Sequence, residues 1–170
     1  MSASVSIYSK IKESVLSNVN VKSFGLWNNQ VNKDKAGSIN PIKYPYVGIQ
    51  FENEYSDLSS GYQQINGTFV LYICIQSLQH KDEDILNFKD SVYQTLMTQL
   101  PAKGFQNFSR SFEVQDTDRD NLIVWNQEYS YSYVDDTGKD VYNSLTGWSF
   151  TNTVNIDYTG YTSSNIQGSI

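Results

Sequence analysis

The sequence predicts an α+β fold in which a mixed or antiparallel sheet of about four to six strands is packed by two helices. Apolar and polar residues alternate over residues 63–76, which is the period of a half-buried strand. The apolar period changes to that of an amphipathic helix over residues 82–100. Further alternating segments lie on both sides of this pair. Because a strand and a helix with one apolar face each must bury those faces, we expect the two to pack together.

The central strand and the helix after it carry the clearest patterns. One face of the strand holds Ile65, Gly67, Phe69, Leu71, Ile73 and Ile75. One stripe of the helix holds Ile85, Phe88, Val92, Leu96 and Leu100. Asp82 is the expected N-cap, and Pro101 is expected to end the helix. Lys89 falls inside the apolar arc, and we expect its ammonium group to reach solvent along the side of the helix.

The chain before the central strand predicts a helix, a short strand and a long loop. Residues 4–19 have a helical apolar stripe, and residues 21–27 are typical of a short strand. Residues 28–41 are polar and carry a charged tip at Lys33, Asp34 and Lys35. A loop of this length is uncommon in a compact domain, which favours a functional role over an unconstrained surface insertion.

A second strand is predicted at residues 44–51, with Pro45 at its start or in an edge position. Residues 52–61 are acidic and rich in serine, and we interpret them as a loop that contains Glu52, Glu54 and Asp57. Because this loop leads directly into the central strand, the two strands are expected to be antiparallel.

Two more strands follow the second helix, at residues 108–115 and 122–134, joined by a hairpin loop at residues 116–121. The second of these strands is amphipathic. Its apolar side carries Ile123, Trp125, Tyr129, Tyr131 and Tyr133. The opposite side is polar, so one face of the predicted sheet needs covering and the other can stay in water.

The composition changes after this strand, which divides the chain into a domain at residues 1–135 and an extension at residues 136–170. The extension contains a final alternating segment, predicted to be an extended C-terminal β arm that lies on a neighbouring subunit. Its apolar positions are Trp148, Phe150, Val154, Ile156 and Tyr158. These residues are the candidate subunit-interface arm.

The composition allows two interpretations of the aromatic residues. The chain has 13 Tyr, 8 Phe and 3 Trp, while charged residues make up only 18%. Tyrosine and tryptophan suit surfaces that contact other proteins, because they combine a large apolar area with a polar group. Aromatic residues are also good strand formers. The two explanations are compatible, and the sequence does not decide between them.

The charge excludes one class of function. The formal net charge is -6, whereas a groove that grips DNA without sequence preference would be basic. An acidic wall suits DNA only where the DNA must slide past, as in a conduit. No apolar run approaches the roughly 20 residues of a membrane span, and no signal peptide is visible.

No set of residues in the sequence predicts a catalytic, cofactor or metal site. Alternating carboxylates at residues 116–121 resemble a calcium loop, but the sixth position lacks glycine and the twelfth lacks glutamate, so we interpret them as a solvated hairpin loop. His80 and Cys74 are the only residues of their kinds. Cys74 is expected to be a small buried apolar residue, and no nucleophile motif accompanies His80. The chain is therefore expected not to be an enzyme.

Several stretches together resemble the tail terminator family of tailed bacteriophages, also described as tail completion, minor capsid or neck ring proteins. The first is the helix Ile7-Tyr8-Ser9-Lys10-Ile11-Lys12, which leads into the strand at residues 21–27. The second is the strand Pro45-Tyr46-Val47-Gly48-Ile49 and the acidic run after it. The others are residues 69–76 leading into the helix at 82–100, and the closing hairpin with its turn rich in Asp and Arg. The resemblance covers residues 1–135.

The resemblance implies a structural virion protein, made in the host cytoplasm, that forms a homo-oligomeric ring, hexameric or dodecameric, at the head–tail junction or tail end. Such a ring terminates or joins the tail, contacts portal, neck or tail proteins, and surrounds DNA without sequence-specific binding. The resemblance also implies that the acidic loop with Glu52, Glu54 and Asp57 faces the channel or an adjoining ring. Two alternatives stay open: a monomeric protein-binding or adaptor domain of a phage tail or baseplate, and a small enzyme, which the scarcity of His and Cys disfavours.

Overall fold

The computed structural model describes residues 3–28, 42–76, 80–116 and 122–139. Within these residues the predicted α+β fold is confirmed, with two helices and a five-stranded mixed sheet. In chain order the elements are α1 (Ala3–Asn18), β1 (Ser23–Leu26), β2 (Tyr46–Ser59), β3 (Tyr62–Gln76), α2 (Asp82–Gln99), a 3-10 turn (Pro101–Lys103), β4 (Phe105–Asp116) and β5 (Leu122–Asp135). The predicted arm with Trp148, Phe150, Val154, Ile156 and Tyr158 lies outside the described residues.

The sheet has the strand order β1-β2-β3-β5-β4. β1 runs parallel to β2, and the other neighbours are antiparallel. β1 is short and pairs only with the first four residues of β2, from Tyr46 to Ile49. β3 pairs with β2 from Tyr62 to Cys74 on one side and with β5 from Gln63 to Gln76 on the other. β3 is therefore the element around which the sheet is built.

Both helices cover the same face of the sheet. The core joins Ile7, Ile11 and Val15 of α1 and Ile85, Val92, Leu96 and Leu100 of α2 to the apolar face of β3. The predicted packing of β3 against α2 is confirmed, because Ile65, Phe69, Leu71, Ile73 and Ile75 are all buried in this core. Burial of this continuous apolar layer is the main term that stabilises the fold.

An aromatic cluster fills the centre of the core. The ring of Phe69 lies 5.0 Å from that of Tyr129 and 5.8 Å from that of Tyr131, measured between ring centroids. Phe51 and Phe108 each lie 6.1 Å from Phe69. These spacings are typical of favourable ring packing. The tyrosines predicted to share one face of β5 therefore belong to the core of a single subunit.

The structure differs from the sequence prediction at the start of α2 and agrees with it at the start of β2. Lys81, not Asp82, is the N-cap of α2, and it makes no side-chain capping hydrogen bond. Asp82, Glu83 and Asp84 instead form the first turn, where carboxylates interact favourably with the positive end of the helix dipole. Pro45 precedes the first residue of β2, as predicted, and the peptide bond before it is cis.

Gly67 lies between Asn53 and Tyr131 in the register of the sheet. It leaves room for a hydrogen bond in which the Tyr131 hydroxyl donates to Asn53 Oδ1 at 2.7 Å. A Cβ atom at Gly67 would lie 3.0 Å from the Glu52 carbonyl oxygen and 3.1 Å from Tyr131 Cζ.

We expect Gly67→Ala to lower the free energy of unfolding by about 1–3 kcal/mol, because the added methyl group overpacks this site. Gly25→Ala is the matched control, since its Cβ would meet the Tyr46 hydroxyl at an ordinary 3.4 Å. Urea denaturation followed by circular dichroism measures both variants. Equal stability of the two variants would contradict this account of Gly67.

Candidate assembly surface

The acidic residues predicted to line a loop lie on a strand. Glu52, Glu54 and Asp57 belong to β2, which pairs with β3 in regular register from Tyr46 to Asp57. The loop prediction was wrong because these residue types disfavour strands only weakly, and continuous pairing with β3 outweighs that preference. The connection itself is a two-residue turn at residues 60–61, where both residues have positive φ, as tight hairpins require.

Glu52 and Glu54 lie on the face of the sheet away from the helices, here called the open face, because residues two apart in a strand share a face. They line a shallow depression of about 490 Å³. Its other polar lining residues are Asn66, Thr68, Glu128 and Ser130. The lining contains three carboxylates and no basic side chain, so this surface repels phosphate groups.

Asp57 does not join the other two acidic residues. It lies on the opposite face of β2, at the tip of the hairpin, where Gln63 Nε2 donates a hydrogen bond to its Oδ1 at 2.8 Å. A second depression, of about 410 Å³, includes Asp57 together with Asp135 and Gly138. The structure therefore brings together Glu52 and Glu54 and separates Asp57 from them.

The outer side of β2 is an open strand edge over residues 52–59, here called the β2 edge. The Trp27 amide donates to the Ile49 carbonyl at 2.8 Å, so Ile49 directs its backbone groups outward, towards β1. Alternate residues of a strand direct these groups to the same side. Asn53, Tyr55 and Asp57 therefore also direct N–H and C=O outward, and no strand in the described part of the chain pairs with them there.

Two large apolar side chains are exposed along the β2 edge. Tyr55 is 50% exposed and Leu58 is 53% exposed. The Tyr55 hydroxyl lies 3.2 Å from Ser4 Oγ in the first turn of α1. Exposed apolar residues beside unpaired backbone groups are typical of a surface that accepts another strand.

The opposite edge of the sheet is β4, and it is less regular. Its pairing with β5 shifts register twice, between Gln106 and Ser109 and between Arg110 and Phe112. Phe112 is 56% exposed and Val114 is 41% exposed. Bulges interrupt the row of backbone groups that a new strand would need. The two edges therefore differ in shape, although both carry exposed apolar residues.

A largely buried polar cluster that was not predicted from the sequence lies between α2 and the sheet. Glu113 is its centre: Lys89 Nζ lies 2.7 Å from Oε1, while Arg110 lies 2.6 Å from Oε2. Gln127 Nε2 also donates to Oε2, at 2.7 Å. The Tyr129 hydroxyl donates to Gln127 Oε1 at 2.6 Å. The signal available was Gln127, a polar residue in phase with the apolar face of β5.

The expectation that Lys89 extends into solvent was wrong. Its side chain is only 9% exposed, and its Nζ also lies 2.9 Å from Asp90 and 4.8 Å from the centre of the Trp125 ring. Burial alone would lower the pKa of Lys89, but its hydrogen bonds to Glu113 and Asp90 outweigh this and raise the pKa above its usual value. Burial also raises the pKa of Tyr129. The cluster is charge-balanced and extends from the buried residues Lys89, Gln127 and Tyr129 to the partly exposed Arg110 and Asp90.

The other residues considered for catalysis or metal binding do not lie together in the structure. Cys74 is fully buried, as predicted. His80 is exposed and borders a groove of about 370 Å³ with Asp84 and Lys22 among its lining residues. Asp116 ends β4, and the rest of the calcium-like loop lies outside the described residues. Within the described ranges, no group of three or more His, Cys, Asp or Glu side chains is placed to hold a metal ion.

Neither α1 nor α2 is both long enough and apolar enough to cross a membrane.

Comparison with known proteins does not assign the chain to a family. No protein-family model matches the chain, and no curated protein matches it significantly.

Proposed function

We propose that this chain is a structural virion protein of a tailed bacteriophage that assembles into a ring at the head–tail junction, where it terminates or joins the tail around the DNA channel. The confirmed α+β fold agrees with the fold that the resemblance to tail terminators implies. The observation that carries the proposal is the presence, among the strands that the structure describes, of two different open edges at opposite sides of one sheet. β2 exposes Tyr55 and Leu58, and β4 exposes Phe112 and Val114.

A closed ring needs two unlike contact surfaces on each subunit, so that one surface meets the other on the next copy. The β2 edge and the β4 edge are unlike in sequence and in regularity, and β3 and β5 separate them in the sheet. The arm predicted around Trp148, Phe150, Val154, Ile156 and Tyr158 then adds a strand to a neighbouring subunit. Strand addition stabilises such a contact through backbone hydrogen bonds as well as side-chain packing.

The acidic open face suits a wall that DNA slides past. Glu52, Glu54 and Glu128 border one depression without a basic residue in its lining. Carboxylates repel the phosphate backbone, so DNA passes without being held. Asp57 lies on the other face, so in this proposal only Glu52 and Glu54 of the three predicted residues line the channel.

Negative-stain imaging and light scattering of the purified chain test the proposal. We expect an annulus with a mass several times that of the 19.4 kDa chain. Leu58→Lys is expected to reduce the assembled fraction at least tenfold, because it places a charge in an apolar contact. Leu86→Lys is the matched control, since Leu86 is 44% exposed on α2 and belongs to neither edge strand.

One observation favours a second function, that of a monomeric adaptor domain of a phage tail or baseplate. The two bulges in β4 blunt that edge, as they do in proteins that avoid edge-to-edge association. A single open edge on β2 would then bind one partner protein. A mass that stays at 19.4 kDa across the whole concentration range, with no annulus in images, would favour the adaptor over the ring.

A further inference from the structure

We infer that the β2 edge is the docking site for an added strand, and that this strand is the C-terminal segment at residues 148–158. The inference deepens the proposed function, which does not specify which edge receives the arm. The inference rests on the proposed function in one respect only, namely that the segment comes from a neighbouring copy of the chain. The choice of site rests on the backbone and charge of β2.

The β2 edge is the more receptive of the two edges. Asn53, Tyr55 and Asp57 direct their backbone groups outward, and the pairing of this part of β2 with β3 shifts register only after Asp57. A regular strand presents evenly placed donors and acceptors to a new neighbour. On β4, two register shifts break the same row of groups. A continuous ladder therefore forms more readily on β2.

The charge of β2 disfavours its pairing with a second copy of itself. Glu52, Glu54 and Asp57 concentrate three negative charges within six residues, and an antiparallel copy would bring these carboxylates close together. Residues 148–156 contain no charged side chain. The C-terminal segment, whose only charged side chain is Asp157 near its end, can therefore approach this acidic edge with little electrostatic repulsion.

The described chain ends at the β2–β3 turn, which directly follows the β2 edge, and Gly138 lines the same depression as Asp57. Gly138 packs on the β2–β3 turn so closely that a Cβ atom on it would lie 2.6 Å from the Gly61 carbonyl oxygen. Lys139 Nζ lies 5.7 Å from the centre of the ring of Tyr62, the residue that follows this turn. Residues 140–147 separate Lys139 from Trp148, and an extended chain of this length reaches about 30 Å. That reach covers the β2 edge of the same copy or of a neighbour in contact with it.

The pattern of the segment also matches the edge. Eight residues, 52–59, form the β2 edge, which is about 26 Å long at roughly 3.3 Å per residue, and the segment of 11 residues covers it. Trp148, Phe150, Val154 and Ile156 share one face of the segment. A strand added with this face towards the helices places apolar side chains beside Tyr55, which is 50% exposed without them.

Amide hydrogen exchange of the full-length protein, resolved by residue, tests the inference with an internal control. Glu52, Glu54 and Ser56 direct their backbone groups towards β3 and serve as the control, while Asn53, Tyr55 and Asp57 report on the outer side. We expect the outward amides to be protected to within tenfold of the control amides. Outward amides that exchange more than a hundredfold faster than the control amides would overturn the inference.

A proline in the segment identifies the occupant. We expect Thr153→Pro to accelerate exchange of the outward amides at least tenfold and to leave the inward amides unchanged, because proline interrupts the added strand. Ser163→Pro is the matched control, since it lies in the same extension but outside the segment. Protection that survives Thr153→Pro would assign the edge to another occupant and overturn the inference.

Mixing identifies the copy that donates the segment. Isotope-labelled Thr153→Pro protein is mixed with an excess of unlabelled unaltered protein. Hydrogen exchange of the outward amides is then measured on the labelled protein. Recovery of protection places the segment on a neighbouring copy, in agreement with the proposed function. Without recovery, the segment belongs to the same copy, so the docking site stands while donation to a neighbour is contradicted. Negative-stain images report separately on the ring.

Discussion

Replacing Phe69 with alanine is expected to lower the free energy of unfolding by about 3–5 kcal/mol. Phe69 is fully buried on the central strand. Its ring packs against Phe51, Phe108, Tyr129 and Tyr131, with centroid distances from 5.0 to 6.1 Å. The substitution leaves a cavity bordered by four rings, and these rings cannot all move to fill it. A loss of this size is a large share of the roughly 5–15 kcal/mol that stabilises a typical domain.

Phe112→Ala is the matched control, because Phe112 is 56% exposed on β4. It is expected to change the free energy of unfolding by no more than about 0.5 kcal/mol. The same pair separates folding from assembly, since Phe112 lies on an edge proposed to contact another subunit. Chemical denaturation at low protein concentration measures both variants. A similar loss for the two would contradict the placement of Phe69 at the centre of the core.

Glu113→Gln is expected to lower the free energy of unfolding by about 2–4 kcal/mol, because it removes the main partner of a buried cation. Glu113 accepts from Lys89, Arg110 and Gln127 at 2.6–2.7 Å. After the substitution, the only carboxylate that pairs with Lys89 in the described part of the chain is that of Asp90, whose side chain is 51% exposed. Thermal and urea denaturation at neutral pH measure the effect.

Two further variants show whether the loss comes from the unpaired charge. Lys89→Met combined with Glu113→Gln is expected to recover part of the stability, since no buried ammonium is left without a partner. Glu13→Gln is the surface control, because the bridge from Glu13 to Lys103 is made by a side chain that is 69% exposed. It is expected to cost at most about 1 kcal/mol. A double variant less stable than Glu113→Gln alone would contradict the explanation.

The strand and helix around which the chain is organised could be predicted because each has one strongly apolar face. Over β3 the period of two is continuous from Ile65 to Ile75, and over α2 a helical stripe runs from Ile85 to Leu100. Local pattern and tertiary burial agree in both elements, which is the condition under which sequence analysis works. The buried state of Cys74 followed from the same reasoning.

The extent of β2 could not be predicted, because its second half has no apolar alternation. Glu52, Asn53 and Glu54 are typical of loops, yet they pair with β3 residue by residue. β3 is long and apolar enough to hold a polar partner strand in place through backbone hydrogen bonds. The candidate surface is therefore not the predicted loop tip but one face and the open edge of a strand.

The contacts of the buried polar cluster could not be predicted from the sequence either. Lys89, Glu113 and Gln127 come from three different elements, α2, β4 and β5. Nothing in the local sequence of Lys89 distinguishes a side chain that extends into solvent from one that meets Glu113 inside the fold. The contact depends on the order in which β5 and β4 follow β3 in the sheet.

The sequence by itself determined the class of the fold, the central strand and helix, and the acidic character of the chain, because hydrophobic period and charge are local properties. Only the tertiary structure decided that Glu52 and Glu54 share the open face while Asp57 does not, and that the β2 edge is unpaired within the described residues. Strand order and register arise from contacts between residues far apart in the chain. Those contacts place the surface on which the proposed assembly depends.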